Sequence, residues 1–304
     1  MIKVVWQPVS PAPTKLRGDF GRPINSFVSS RALLCVSEVD TKLSTRTFLE
    51  CFCTKNDTTH EPSSQSFSAL AADTPWDSGT TWSTMAFYTL TLHIPLSFGW
   101  ISVVTQILQQ PVLDPNTKAI SLLIAQTLEL IATLILLKYT AKPQHNFLNF
   151  FKGCNLSKER NWLLASAIGF GFLFTLVLGT SLLANGLLEP KPVNNPILKE
   201  ILESSDISKA SCALVYCLVA PLLEETVYRG FLLGSLSTTM KWQQAVLISS
   251  AIFSAAHLSG ENFLQLFIIG CVLGCSYCWT GNLRSSLLIH SFYNAMTLLI
   301  TFLS

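Results

Sequence analysis

Residues Leu218–Gly234 read LVAPLLEETVYRGFLLG, an apolar run interrupted by Glu224, Glu225 and Arg229. One charged side chain at the centre of a spanning helix costs roughly 2.5–3.5 kcal/mol on insertion scales. Three within six positions need either mutual pairing or a task. The chain around them has the composition of a membrane protein. Its mean hydropathy is +0.43 and 12% of its 304 residues are charged, against about 25% in an ordinary soluble domain. The charge is also uneven. Residues 1–80 carry 8 Lys/Arg and 8 Asp/Glu, leaving 12 and 10 for the other 224 residues.

Working outward, residues 207–236 form a stretch too long for a simple crossing, with Pro221 as a place to kink. Further apolar runs cover 85–108, 119–138, 162–186, 243–258, 263–280 and 285–303, most of them near the ~20 residues a bilayer requires. The predicted fold is all-α: a polytopic transmembrane bundle of about seven to eight spans with a disordered N-terminal extension. Three regions follow: a transit-like segment 1–75, N-terminal membrane helices 76–206 and a core 207–304. Small residues four apart, Gly230 with Gly234 and Gly270 with Gly274 and Cys278, suit close helix contacts in lipid.

The first 75 residues are rich in Ser, Thr and Pro, and the first 34 hold five Lys/Arg against one acid, Asp19. With no apolar h-region after Met1, this opening reads as an organelle transit peptide. The hydroxyl content favours a chloroplast membrane, thylakoid or inner envelope, over a mitochondrial or other endomembrane. A disordered cytosolic tail is the bland alternative. The 138–161 connection carries Lys138, Lys142, Lys152, Lys158 and Arg160 with one acid, Glu159, so it should face stroma, matrix or cytosol. The 187–209 connection, with three lysines against four acids, should face the opposite compartment, and the loop around Lys241 the positive side. A net charge of +2 without a basic patch interleaved with aromatics gives no footprint for nucleic acid. Expected partners are the lipid bilayer and a protein or peptide substrate. The nine cysteines do not read as a disulfide framework, because Cys212, Cys217, Cys271, Cys275 and Cys278 lie in apolar runs and pack as small hydrophobes.

Helical spacing sorts the buried charges. Glu225 and Arg229 are four apart and can pair. Glu224 is rotated about 100° away and shares its face with Tyr228, a possible hydrogen-bond donor. Glu224 is 13 residues before Ser237, and His257 is 14 after Gln243. At about 1.5 Å per residue both lie roughly 20 Å from the turn joining their helices and can meet. His290 and Asn294, four apart, present an imidazole and an amide on one side of the last helix. A carboxylate and a histidine can hold and deprotonate water, while a second histidine and an amide can bind an oxyanion. That set suffices for peptide hydrolysis without a covalent intermediate. The zincin pattern H-E-x-x-H is absent, yet Glu224, His257 and His290 also have the composition of a His₂Glu zinc site. His93 reads as a packing histidine, and Glu129 with Gln126 as a helix-to-helix polar contact.

Three patterns, EETVYRG at 224–230, FSAAH at 253–257 and HSFYN at 290–294, occur in this order on successive apolar helices. They resemble the motifs of the CPBP family, the CAAX protease and bacteriocin-processing group that includes the type II CAAX prenyl endopeptidases. The N-terminal segment makes the chain similar to plant organellar members. The resemblance covers roughly 207–304. It implies a membrane-embedded CAAX-type endopeptidase: Glu224 and His257 activate water, and His290 and Asn294 stabilise the oxyanion. Glu225, Arg229, Tyr228 and Phe253 would support the site or orient substrate. The resemblance implies a glutamate-type mechanism without cofactor in preference to zinc, since His290 then keeps a separate role. Some family members act as non-proteolytic scaffolds or chaperones for partner proteins, which is the second expectation. A proton-coupled transporter ranks third, because no inverted repeat is visible.

Overall fold

The computed structural model describes residues 67–70, 74–143, 160–187 and 196–303. The transit-like reading of 1–75 therefore falls almost wholly outside the described residues. Among these there is no strand. Eight helices follow in order: α1 Ser78–Leu108, α2 Pro115–Thr140, α3 Trp162–Leu187, α4 Pro196–Ser204, α5 Asp206–Leu236, α6 Trp242–Ala256, α7 Phe263–Thr280 and α8 Leu283–Leu303. Six of them, α1, α2, α3, α5, α7 and α8, are long and apolar enough to cross a bilayer. The expected span at 243–258 is helix α6, whose 15 residues reach only about 22 Å, short of the ~30 Å hydrocarbon core.

Sequence signals explain the helix ends. Asp114 caps α2, accepting a hydrogen bond from the Thr117 N–H at 3.0 Å, and Pro115 follows at the first helical position. That exposed Asp114 carboxyl is held below its ordinary range by its hydrogen bonds to the Thr117 side chain and backbone. Ser205 caps α5 in the same way through the Ser208 N–H at 3.1 Å. Gly281, at φ 61°, closes α7 in the left-handed conformation, and a Cβ there would stand 3.1 Å from the Ala69 carbonyl oxygen.

Pro221, a place where this stretch could kink, does not end the helix: α5 continues through 31 residues. It does so by widening to π-helical winding over Val215–Val219 and again over Glu225–Leu233. In the first of these the Ala220 N–H reaches back five residues to the Val215 carbonyl. Pro221, next in line, has no N–H for the Tyr216 carbonyl. The Asn294 side chain of α8 supplies the missing donor, Nδ2 to Tyr216 O at 2.9 Å. A side chain from a neighbouring helix thus repairs the ladder that proline interrupts.

The bundle turns apolar side chains outward, as lipid demands, and keeps its polar ones inside beside an apolar core. Helix α2 turns Ile120, Ile124, Leu128, Ile131 and Ile135 outward and buries Gln126, Glu129 and Thr133. Helix α5 is the central element, half buried along its apolar window against 6% for α1. Its Leu223, Val227, Tyr228, Phe231, Leu232 and Leu233 form the main core with Leu137 of α2, Val246 and Phe253 of α6, and Leu266 of α7. Helices α6 and α7 approach closely. A Cβ on Gly270 would meet Ser250 Cβ at 2.9 Å, and one on Gly274 would meet Val246 Cγ1 at 3.1 Å. The glycine spacing noted in the sequence serves this contact.

The ends of the bundle differ in charge. Residues 67–70 and 74–76 lie across one of them: Ala69 N–H donates to Cys278 O at 2.8 Å and Lys142 N–H to Pro75 O at 2.9 Å. The Phe67 ring stacks on Trp242, and Arg160 donates to Phe67 O at 2.7 Å. Lys142, Arg160 and Lys241 therefore share one end. The opposite end gathers Asp114, the Asn116 contacts to Ser205 and Ser208, and Asp206.

Candidate active site

Glu224 closes an α-helical stretch of α5 and Glu225 opens the second π-helical one. Glu225 is 1% exposed and Arg229, also 1%, lies four residues on, with Nη1 3.2 Å from Glu225 Oε1. The guanidinium also donates from Nη2 to the Gly270 carbonyl at 3.4 Å and sits 4.5 Å from the Phe253 ring centroid. The face argument from the sequence thus matches this pair. The same Glu225 oxygen accepts from His290 Nδ1 at 2.9 Å. Phe253 is the hub beneath these groups, its ring edge-on to Tyr228 at 5.2 Å and packed on His257 at 4.7 Å.

His257 is the residue at which α6 ends. Its Nδ1–H donates to its own helix's Phe253 carbonyl at 2.8 Å, which satisfies one of the carbonyls orphaned at a helix C-terminus. That hydrogen bond fixes the tautomer and leaves Nε2 as a lone pair. The next residue, Leu258, has φ 48°, a left-handed conformation that costs a residue other than glycine about 1 kcal/mol. The turn directs His257 inward, with Nε2 3.9 Å from Glu224 Oε2. His290 Nε2 lies 3.6 Å from the same oxygen. Both gaps exceed a direct hydrogen bond, and Glu224 Oε2 is buried without a hydrogen-bond partner among the described residues. Beside these rings Phe253, Leu266, Ile269, Tyr293 and Asn294 line a cavity with room for about one water.

Glu224, His257 and His290, from three helices, therefore converge as the sequence expects. Asn294 lines the same cavity, but one of its amide hydrogens is engaged by Tyr216 O, while its Oδ1 is buried without a hydrogen-bond partner among the described residues. The hydrogen bond expected from Tyr228 to Glu224 does not form. Tyr228 turns its ring against Phe253, and its hydroxyl finds no partner among the described residues. As for zinc, ligand atoms of a tetrahedral site stand about 3.3 Å apart, closer than the 3.9 Å between His257 and Glu224. Among the described residues no trio of His, Cys, Asp or Glu is gathered for a metal. As they stand, these separations are wider than those of a tetrahedral zinc site.

A second polar cluster lies beside the site. Buried Glu129 of α2 accepts from Tyr88 OH at 2.9 Å, His93 Nδ1 at 2.8 Å and Ser97 Oγ at 2.8 Å, all from α1. His93 Nε2 in turn faces the Ala256 carbonyl of α6 at 3.3 Å. That Glu129 makes a helix-to-helix contact was legible; that its partners lie on α1, and that His93 extends the contact to α6, was not. Residues 88–99 wind as a π-helix, at roughly 80° per residue, so Tyr88, His93 and Ser97 share a side. The α-helical 100° would place Tyr88 and Ser97 on opposite sides.

Residues 207–296 match the family model described as type II CAAX prenyl endopeptidase Rce1-like. Two curated relatives match part of the chain at low identity. An uncharacterized 24.3 kDa protein of Escherichia coli is 28% identical over 126 residues, 40% of this chain and 57% of that protein. The membrane-embedded CAAX protease MroQ of Staphylococcus aureus (strain USA300) is 29% identical over 93 residues, 29% of this chain and 38% of that protein. The chain thus spans less than two thirds of either relative's length. No solved structure matches. A multi-pass bundle, the ordered motifs and this match agree: residues 207–296 are similar to the Rce1-like type II CAAX prenyl endopeptidases, which supports membership of the CPBP family.

Proposed function

We propose that the chain is an intramembrane endopeptidase of glutamate type, acting on a protein or peptide substrate in a chloroplast membrane. The observation that carries this reading is the convergence of Glu224 Oε2 with the Nε2 atoms of His257 and His290, at 3.9 and 3.6 Å, beside a water-sized cavity.

Water held between Glu224 and His257 gives its proton to the Glu224 carboxylate, and its oxygen forms a bond to the scissile carbonyl carbon. The carbonyl oxygen takes the charge. His290 receives it through Nε2–H, its positive ring supported at Nδ1 by Glu225. With His290 as imidazolium, two glutamates stand against Arg229 and His290, so the buried cluster is net neutral. Asn294 contributes its second amide hydrogen to the oxyanion. Collapse breaks the C–N bond as Glu224 passes its proton to the leaving amine.

The test is purified protein in nanodiscs, wild type beside Glu224→Gln and His257→Ala, with membrane peptides analysed by mass spectrometry. The expected result is cleavage by the wild type and a loss of at least ~10²-fold in both variants. A Glu224→Gln protein that accumulates normally and restores a null mutant fully would place the chain among scaffolds instead.

A further inference from the structure

We propose that His93 and Glu129, outside all three motifs, form a positioning dyad that holds the end of α6 and so aims His257; its kinetic consequence rests on the endopeptidase reading above. Both ring nitrogens of His93 face acceptors, Glu129 Oε1 at 2.8 Å and the Ala256 carbonyl at 3.3 Å. A neutral imidazole has one N–H and would set a lone pair against one of these oxygens. The ring that satisfies both carries a hydrogen on each nitrogen, and Glu129, 0% exposed, is its counter-charge. Tyr88 and Ser97 donate to the same carboxylate, and Gln126 holds Ser97 Oγ at 3.0 Å. The carboxylate is therefore fixed in place from two helices.

What the dyad reaches is the last turn of α6. Ala256 directly precedes His257 and lies where carbonyls have no intrahelical partner. Helix α6 has no basic residue of its own in that turn, so His93 brings a cation to the negative end of the helix from α1. The chain then enters the left-handed turn at Leu258. Ser254, which donates to Phe263 O at 2.5 Å, ties the other side of the same turn to α7. His257 is thus clamped from both flanks, and a shift of about 1 Å at such a position costs up to ~10² in rate. His93 acts through the backbone of α6 and is a positioning residue.

The experiment uses the full chain with ¹⁵N-histidine in nanodiscs, comparing wild type with His93→Gln, Glu129→Gln and the double variant. The ring ¹⁵N signals of His93 should show both nitrogens protonated at neutral pH, and those of His257 should move when Glu129 is replaced. In peptide cleavage, kcat should fall about 10–100-fold with KM within about twofold, and the double variant should fall no further than the singles. If Glu129→Gln does not accumulate, Ser97→Ala, which removes one donor to Glu129, carries the same test with a smaller loss in kcat. A singly protonated His93, unmoved His257 signals, or unchanged kcat in a folded variant overturns the proposal. If the wild type cleaves nothing, the endopeptidase reading has failed separately, and the His257 signals alone decide whether the dyad positions α6.

Discussion

At the scale of single residues, the two adjacent glutamates part company because the helix turns between them. Glu225 is held at Oε1 by Arg229 at 3.2 Å and His290 at 2.9 Å, while Glu224 stands 3.6 and 3.9 Å from its two histidines, beyond a direct hydrogen bond. The first has the surroundings of a structural ion, the second those of a reactive one. Truncating Arg229 to methionine removes the cation but leaves the carboxylate buried. Losing one partner of a buried pair costs about 3–5 kcal/mol, and here the lower end is expected because His290 still donates to Glu225. Thermal unfolding in nanodiscs should show that loss for Arg229→Met and its partial recovery in Glu225→Gln/Arg229→Met. Equal melting temperatures for wild type and Arg229→Met would contradict the ion-pair account. These pairings were legible in the sequence, since i,i+4 spacing survives modest changes in winding. The role of Asn294 toward Tyr216 was not, because it answers a defect made by Pro221 on another helix.

At the scale of elements, the site depends on how closely α6 and α7 approach, since α6 carries Phe253 and His257, and Gly270 of α7 accepts from Arg229. A methyl group on Gly270 meets Ser250 Cβ at 2.9 Å and Cα at 3.1 Å, so backbone must move. On Gly274 the nearest atoms are side-chain methyls of Val246, at 3.1 and 3.4 Å, which can yield. Gly270→Ala should therefore destabilise by about 1–3 kcal/mol and lower turnover, while Gly274→Ala should cost less. Melting curves of the two variants decide this, and a larger loss for Gly274→Ala would show that side-chain packing governs the contact. The small-residue spacing announced a close approach. It did not announce π-helical winding, which depends on neighbouring helices supplying partners for displaced backbone groups.

At the scale of the molecule, the charge of the two ends sets orientation. Among the described residues, Lys138, Lys142, Arg160, Lys241 and Arg284 accompany Asp77, whereas Lys118, Lys199 and Lys209 accompany Asp114, Glu200, Glu203, Asp206 and Glu261. Positive charge retained on the side of synthesis or import predicts that the first group faces the stroma. Lys142→Cys and Asp206→Cys, each in a background with the nine native cysteines replaced, should react oppositely with an impermeant maleimide after import into isolated chloroplasts. Labelling of Asp206→Cys alone from the stromal side would invert the topology, and failure of the chain to enter the organelle would remove the chloroplast assignment.

The sequence by itself determined that this is a helical membrane protein, which segments are its long apolar helices, and that Glu224 and His257 lie at matching depth. Those properties follow from apolar length, helical rise and the cost of burying charge, all local to the chain. The tertiary structure decided that α5 runs unbroken past Pro221, that α6 ends at His257 in a strained turn, and that Glu129 reaches the site through His93. Each of these is a hydrogen bond or a contact between helices distant in sequence. Because no water is at hand in the lipid core to satisfy a displaced carbonyl, only the packed neighbour settles where the helix winds and where it stops.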